Sequence, residues 1–406
     1  MTRRDFWILV LILLVGTCLT FGRKIQEGKI PFDVHLDGLE ILQGDPYSFV
    51  ESRESPLAPG ALLQIDSNRG DVEVVGWDEP KVRIEVRKLV RSESQEEAAR
   101  LASGMSLELT PSTTGIAVKV TRSSGTDLPR DTRTDFSVSA PRNGRLVIMT
   151  GNGHVSVREI GKDVVIHTSH GDVEAQDLGG RCEVVNRQGA VTLDRVAGDV
   201  TISTLHDDVH VSEAAGAVRV ESAHGSIAVR QATGPVSLRT SHGEVAVSQV
   251  RRDVRVDAPH SPITMEAVSG NVTVSAQGDP VELSDVAGAV DVSAEATSVS
   301  LVDVRGNIRV VGRHTDVQLV RPGGDVEVQT THQGIDLALP AGRGFRLAAD
   351  SDRGEIESDI PGLHLPEEPV TTFSGTVGDG RHAYHVSTSH STIRIHTSKS
   401  SNSSRK

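Results

Sequence analysis

Seven histidines stand one 18-residue period, or a small multiple of it, apart: His170, His206, His224, His242, His260, His314 and His332. A neutral imidazole ligates Zn or Cu, and its charge changes between about pH 5 and 8. A regular file of them therefore points to a metal-binding or proton-sensing strip. The run His206, His224, His242 and His260 is unbroken and supplies the candidate metal ligands. The other members of the column are Gln188, Gly278 and Ala296, with Asn152 one period upstream. His, Asn and Gln can all hydrogen-bond a turn or tolerate positive φ, so a turn role competes with the metal role. Only Asp207, Asp208 and Glu244 follow the run closely as possible carboxylate partners.

The elements that would position this file are visible in the same period. Cut every 18 residues from Gly153, the chain falls into ten segments ending at His332, and no gap is needed. The third position reads Val155, Val173, Val191, Val209, Ile227, Val245, Ile263, Val281, Val299 and Val317, and the fifth is apolar from Val157 to Leu319. The twelfth and fourteenth positions repeat the device, from Val164 and Ile166 to Val326 and Val328. Alternation at period two places such side chains on one face of a strand, where β-branched residues fit best. Each segment is thus predicted to hold two short strands, and a fixed short repeat marks a solenoid whose coils bury their cores only against neighbours. With coils ~4.8 Å apart, ten make a rod about 48 Å long.

Glycine recurs at position one (Gly153, Gly171, Gly189, Gly225, Gly243) and at position ten (Gly180, Gly198, Gly216, Gly234, Gly270, Gly288, Gly306, Gly324). Both are predicted to be corners with positive φ. Cys182 falls in a valine column and is expected to be a core residue. The acids Asp163, Asp199, Asp253 and Asp325 share position eleven and are expected to serve the turn.

The fold class is therefore all-β: a parallel β-solenoid of 18-residue coils, two strands per coil, with β-rich caps at both ends and an N-terminal hydrophobic helix. The predicted divisions are 1–24 signal or membrane anchor, 25–60 stalk, 61–152 N-terminal cap and first coils, 153–332 regular array, 333–396 C-terminal coils and cap, and 397–406 disordered tail. In the N-terminal cap, Trp77 is expected to cover the open end, with a helix at 92–103 and strands near 105–110 and 116–121. The segment from Phe6 to Gly22 is uncharged and flanked by Arg3, Arg4, Arg23 and Lys24. At ~1.5 Å per residue it can cross a bilayer as a transmembrane helix with snorkelling flanks. A single-pass anchor with an exported solenoid is the expectation, the alternatives being a cleaved signal peptide or a lipoprotein.

The net charge of −13 excludes a nucleic-acid binder, which needs clustered Lys and Arg. With only two cysteines, Cys18 and Cys182, no disulfide framework is available. The ten coils contain no Phe, Tyr or Trp and no insertion, and no G-x-S-x-G, H-E-x-x-H or phosphate-loop motif occurs. No catalytic residue and no cofactor are predicted, and the chain is expected not to be an enzyme.

Three stretches resemble a bacterial family. GDVEVVGWDEPKVRIEV (70–86), SAPRNGRLVIMTGNGHVSV (139–157) and STIRIHTS (391–398), with GDV and GAV units between them, are similar to the "putative adhesin" β-solenoid domain of unknown function. The resemblance spans about residues 60–398 and implies an envelope protein behind a signal or anchor. Its motifs are structural. The expected function is an adhesin-like or structural interaction module with an envelope or extracellular protein or glycan as partner. A polymer-forming, bactofilin-like scaffold and a metal- or pH-responsive surface are the alternatives, and the oligomeric state is open.

Overall fold

The computed structural model describes residues 44–123, 129, 132–366 and 368–398. Within the array each coil gives one strand to each of two sheets that face each other across a thin core. In the first sheet Val191, Val209, Ile227, Val245 and Ile263 pair in parallel register, one per coil. In the second, Val200, Val218, Val236, Val254 and Val272 do the same. The inward side chains are sealed from water: Val209, Ile227 and Val245 are 0% exposed. Each such Val or Ile contributes roughly 1.5–3 kcal/mol on burial, so stacking carries the fold. Cys182 sits in this core, between Val164 and Val200, at 0% exposure.

The two glycine columns differ in what they do. Position-one glycines do take positive φ, from 101° at Gly225 to 142° at Gly153. Position-ten glycines do not, contrary to expectation. There the backbones of successive coils touch: a Cβ on Gly198 would lie 2.4 Å from the Gly180 carbonyl carbon, and one on Gly216 2.5 Å from that of Gly198. The second left-handed position of each coil is instead the seventh residue. Glu159, Asp177, Arg195, Glu213, Gln231, Gln249, Ala267, Asp285, Asp303 and Arg321 all have φ between 51° and 61°. A side chain in this region costs about 1–2 kcal/mol, which the stacked coils on either side must hold in place.

Both ends of the stack depart from chain order. Near the N-terminus, the coil made of Leu62–Arg69 and Val72–Trp77 is enclosed on two sides. Arg145–Asn152 and Val155–Arg158 lie on its array side. Gly115–Arg122 and Arg133–Pro141 lie on the other. Antiparallel strands then close the end: Met105–Pro111 in one sheet, Lys81–Ser92 and Asp45–Pro56 in the other. The cap thus begins at Asp45, inside the segment expected to be a stalk. Trp77 does not cover the end, because its strand is interior. Its indole donates to the Lys81 carbonyl at 2.7 Å and lies beneath Arg83. The helix runs Gln95–Ser103, N-capped by Ser94, and buries Ala98, Leu101 and Ala102 against Val90 and Met105.

At the other end the last coil of the chain is also enclosed. His382–Thr388 lies between Val326–Thr330 and Phe345–Ser351. Ile393–Thr397 lies between Ile335–Leu339 and Ile356–Ser358. The antiparallel strand Thr372–Val377 covers the remaining edge of one sheet. Among the described residues no helix is long and apolar enough to cross a membrane, and Phe6 to Gly22 lies outside the described residues.

Candidate functional site

The histidine column runs along one edge of the stack, where each strand of the second sheet ends. Parallel pairing sets successive members one strand spacing apart. His206, His224, His242 and His260 are exposed, and their rings stack with centroids 5.2, 5.1 and 5.7 Å apart and planes within 22°. The column has a member that the period did not reveal. His390, from the enclosed last coil, stacks on His332 at 4.6 Å, and His332 stacks on His314 at the same distance. The local signal was present: Thr388-Ser389-His390 repeats Thr168-Ser169-His170 and Thr240-Ser241-His242. Burial, reinforced by the neighbouring His314 and His390, holds the His332 imidazole below the usual range.

The turn reading explains only part of this column. His260, His314 and His332 do have left-handed φ, of 52°, 54° and 66°. His170, His206, His224 and His242 do not, because in their coils the next residue turns the corner: Gly171, Asp207, Gly225 and Gly243 take the positive φ. The corner therefore moves back by one residue at His260. A polar side chain beneath it moves too. Thr204, Ser222 and Thr240 lie two positions before the column histidines, are buried, and donate to the carbonyls of His206, His224 and His242 at 2.9, 2.7 and 3.0 Å. In coils six to nine Ala258, Ala276, Ala294 and Gly312 occupy that position, and buried Ser261 and Thr315, just past the corner, take the role by donating to the carbonyls of Pro259 and Arg313. Coil ten returns to a buried hydroxyl, Thr330, which donates to the Thr315 carbonyl at 2.7 Å. In both versions the hydrogen bonding is done by hydroxyls. Among the described residues no group hydrogen-bonds the rings of His206, His224, His242 or His260.

Stacked rings point their in-plane lone pairs in parallel, so these four imidazoles do not converge on a point within one chain. No group of three His, Cys, Asp or Glu side chains able to hold a metal is found among the described residues. Of the nearby acids, Asp207 accepts from the Gly189 N–H at 2.7 Å and Asp208 from the Ser226 N–H at 2.8 Å. The position-eleven acids are engaged likewise. Asp163, Asp199, Asp253 and Asp325 accept from the backbone N–H of Arg181, Ala217, Asn271 and Ala383, each on the coil stacked next to their own.

A groove of about 900 Å³ runs across the outer face of the second sheet near the C-terminal end. Asp291, Arg309, Glu327 and His385 line it from successive strands, with Phe373 on the antiparallel strand. Arg309 Nε lies 3.6 Å from Glu327. Sequence reading missed it because His385 reaches this column only through the enclosure of the last coil.

A family model described as Toastrack DUF4097 matches residues 62–300. No curated protein matches the chain. Solved structures that it resembles include a "putative cell adhesion protein" from Clostridium sporogenes ATCC 15579, at 9% identity over 87% of this chain and 100% of that one, with a TM-score of 0.24. Others are each named "putative adhesin": one from Bacteroides fragilis NCTC 9343, at 10% identity over 58% and 97% of the two chains and a TM-score of 0.25, and one from Parabacteroides distasonis ATCC 8503, at 13%, 69% and 98%, also 0.25. The family model covers more than half of the sequence, from the enclosed first coil into the ninth repeat, and the chain therefore belongs to the Toastrack DUF4097 family.

Proposed function

We propose that the chain is a non-enzymatic interaction module, a rigid two-sheet rod held at the cell envelope by its N-terminal segment. The observation that carries this reading is the use made of the polar corner residues. Asp163, Asp199, Asp253 and Asp325 each tie one coil to the next, so these recurring corner acids are part of the scaffold. The corners carry no long loops, the places where catalytic groups usually collect. What the rod offers instead is a set of outward columns repeated at every coil, a surface suited to an extended partner such as a glycan chain or an elongated envelope protein.

Antiparallel strands over both sheets at the N-terminal end and over one sheet at the other favour a free-standing rod over a filament, because head-to-tail growth needs open parallel edges in both sheets at each end. The test is to label intact and permeabilised cells with an antibody to the array, and to image the purified chain by negative-stain electron microscopy. Labelling of intact cells and single rods support the proposal. Labelling only after the cytoplasmic membrane is breached, or filaments without added ligand, would overturn it.

A further inference from the structure

We propose that the exposed ridge His206, His224, His242 and His260 is one half of a divalent transition-metal site that a second copy of the chain completes. This goes beyond the interaction role above and does not depend on where the rod is displayed. The starting point is that three of these histidines have no structural task. His206, His224 and His242 lack the left-handed φ that would call for a special side chain, and the hydroxyls of Thr204, Ser222 and Thr240 do the hydrogen bonding at the corner. Their column accepts Gln188, Gly278 and Ala296 elsewhere, so the corner itself does not demand imidazole.

Four exposed, stacked rings with unpartnered nitrogens form a borderline-soft donor set of the kind that Zn²⁺, Cu²⁺ and Ni²⁺ take from imidazole. One chain cannot finish the coordination. Two nitrogens bound to one zinc at ~2.0–2.1 Å in a tetrahedron stand about 3.4 Å apart, whereas His224 and His242 have centroids 5.1 Å apart and planes within 6°. Pivoting of the two rings brings them onto one ion, and the remaining positions then face away from the rod. Asp207 and Asp208 are held by backbone amides, Glu221 and Asp257 are paired with Arg219 and Arg239, and Glu244, though exposed, forms no group of three metal-binding side chains with these rings. The ligands that fit are a second pair of imidazoles.

A second copy supplies them by symmetry. The unbroken run has its midpoint between His224 and His242. A two-fold axis there sets the ridge against itself, with His224 and His242 of each copy around one ion and His206 facing His260. Each chain carries a net charge of −13, so a cation held between two copies offsets part of their mutual repulsion.

The test is sedimentation velocity on the full-length chain in detergent as zinc sulfate is added, with zinc uptake followed by calorimetry and reversed by EDTA. The expected result is a twofold rise in mass at one zinc per two chains, lost on chelation. It is expected to be absent in H224Q/H242Q, which carries the residue that Gln188 already places in this column, and retained in H332Q, with the melting temperature of both variants confirming that they fold. No zinc uptake, one zinc per chain without a change in mass, or an equal rise in mass in H224Q/H242Q would each overturn the proposal, and the first two are read on the unaltered chain.

Discussion

Tyr384, on the last coil, pairs in parallel register with Val326 of the tenth array coil on one side and with Leu347 on the other. The final strands are therefore inserted into the stack. The chain end is gripped by two coils that come before it in sequence. Tyr384 is 1% exposed and its ring stacks on Phe345 at 5.2 Å, so Tyr384→Ala should cost about 3–5 kcal/mol by lost burial and an unfilled cavity. Its hydroxyl is buried without a hydrogen-bond partner among the described residues, and burial pushes its acidity down, raising the pKa. Tyr384→Phe should therefore be neutral or stabilise by up to ~1 kcal/mol. Denaturant midpoints of the two variants check both; a large loss in Tyr384→Phe would show an unseen partner.

The two kinds of corner predict opposite responses to glycine. At Gly198 an added methyl would meet the Gly180 backbone at 2.4 Å, and Gly198→Ala should destabilise by roughly 1–3 kcal/mol through displaced coils. At Gln231 the side chain is exposed and φ is 54°. Gln231→Gly relieves left-handed strain and loses some unfolded-state restriction, for a net gain of about 0.5–1 kcal/mol. Thermal unfolding of the pair should move in opposite directions, and a loss in both would refute the left-handed assignment at position seven.

Burial, with a small contribution from Glu183, pushes the Cys182 thiol up from 9.0 to about 12. In a Cys18→Ser background the native protein should not react with a thiol reagent at pH 8, and modification should appear only on unfolding. The folded pKa is raised, so the contribution to stability is complete below pH 9, where both states hold the proton. It falls as pH rises from 9.0 towards about 12, because the unfolded chain ionises first. A Cys182→Val variant should show a flatter decline over that alkaline range in denaturant titrations.

His332 titrates below the usual imidazole range because of burial and because His314 and His390 flank it. Its folded pKa is lowered, so its contribution to stability is present above about pH 6.5 and is lost as pH falls through the folded value, the unfolded chain taking the proton first. Replacing His314 with Gln removes one like charge. The His332 resonance in an NMR pH titration should then move up towards an ordinary imidazole, and no movement would show that the neighbours do not act on it.

The amino-acid sequence by itself determined the coil. Two alternating apolar pairs per 18 residues, repeated without a gap, leave two parallel sheets as the arrangement that buries Val155, Val157, Val164 and Ile166 and their successors together, and this local pattern survives in the structure residue by residue. The histidine file was legible for the same reason: one period in sequence is one step along the stack. The left-handed seventh position was not, because residues as unlike as Arg195, Gln231 and Ala267 fill it, and the strain comes from the coil's closure and not from the side chain.

Tertiary structure alone decided which coils touch at the ends. An apolar strand pair can stack on any other of matching register, so Leu62–Trp77 and His382–Thr397 carry the same pattern whether they lie at the edge of the rod or inside it. The antiparallel strands at each end are not part of the repeat. They occupy the outermost edges of both sheets at the N-terminal end and of one sheet at the other, and the first and last coils lie between neighbours where both sides of each strand are paired. That enclosure brings His390 into the column and His385 into the groove.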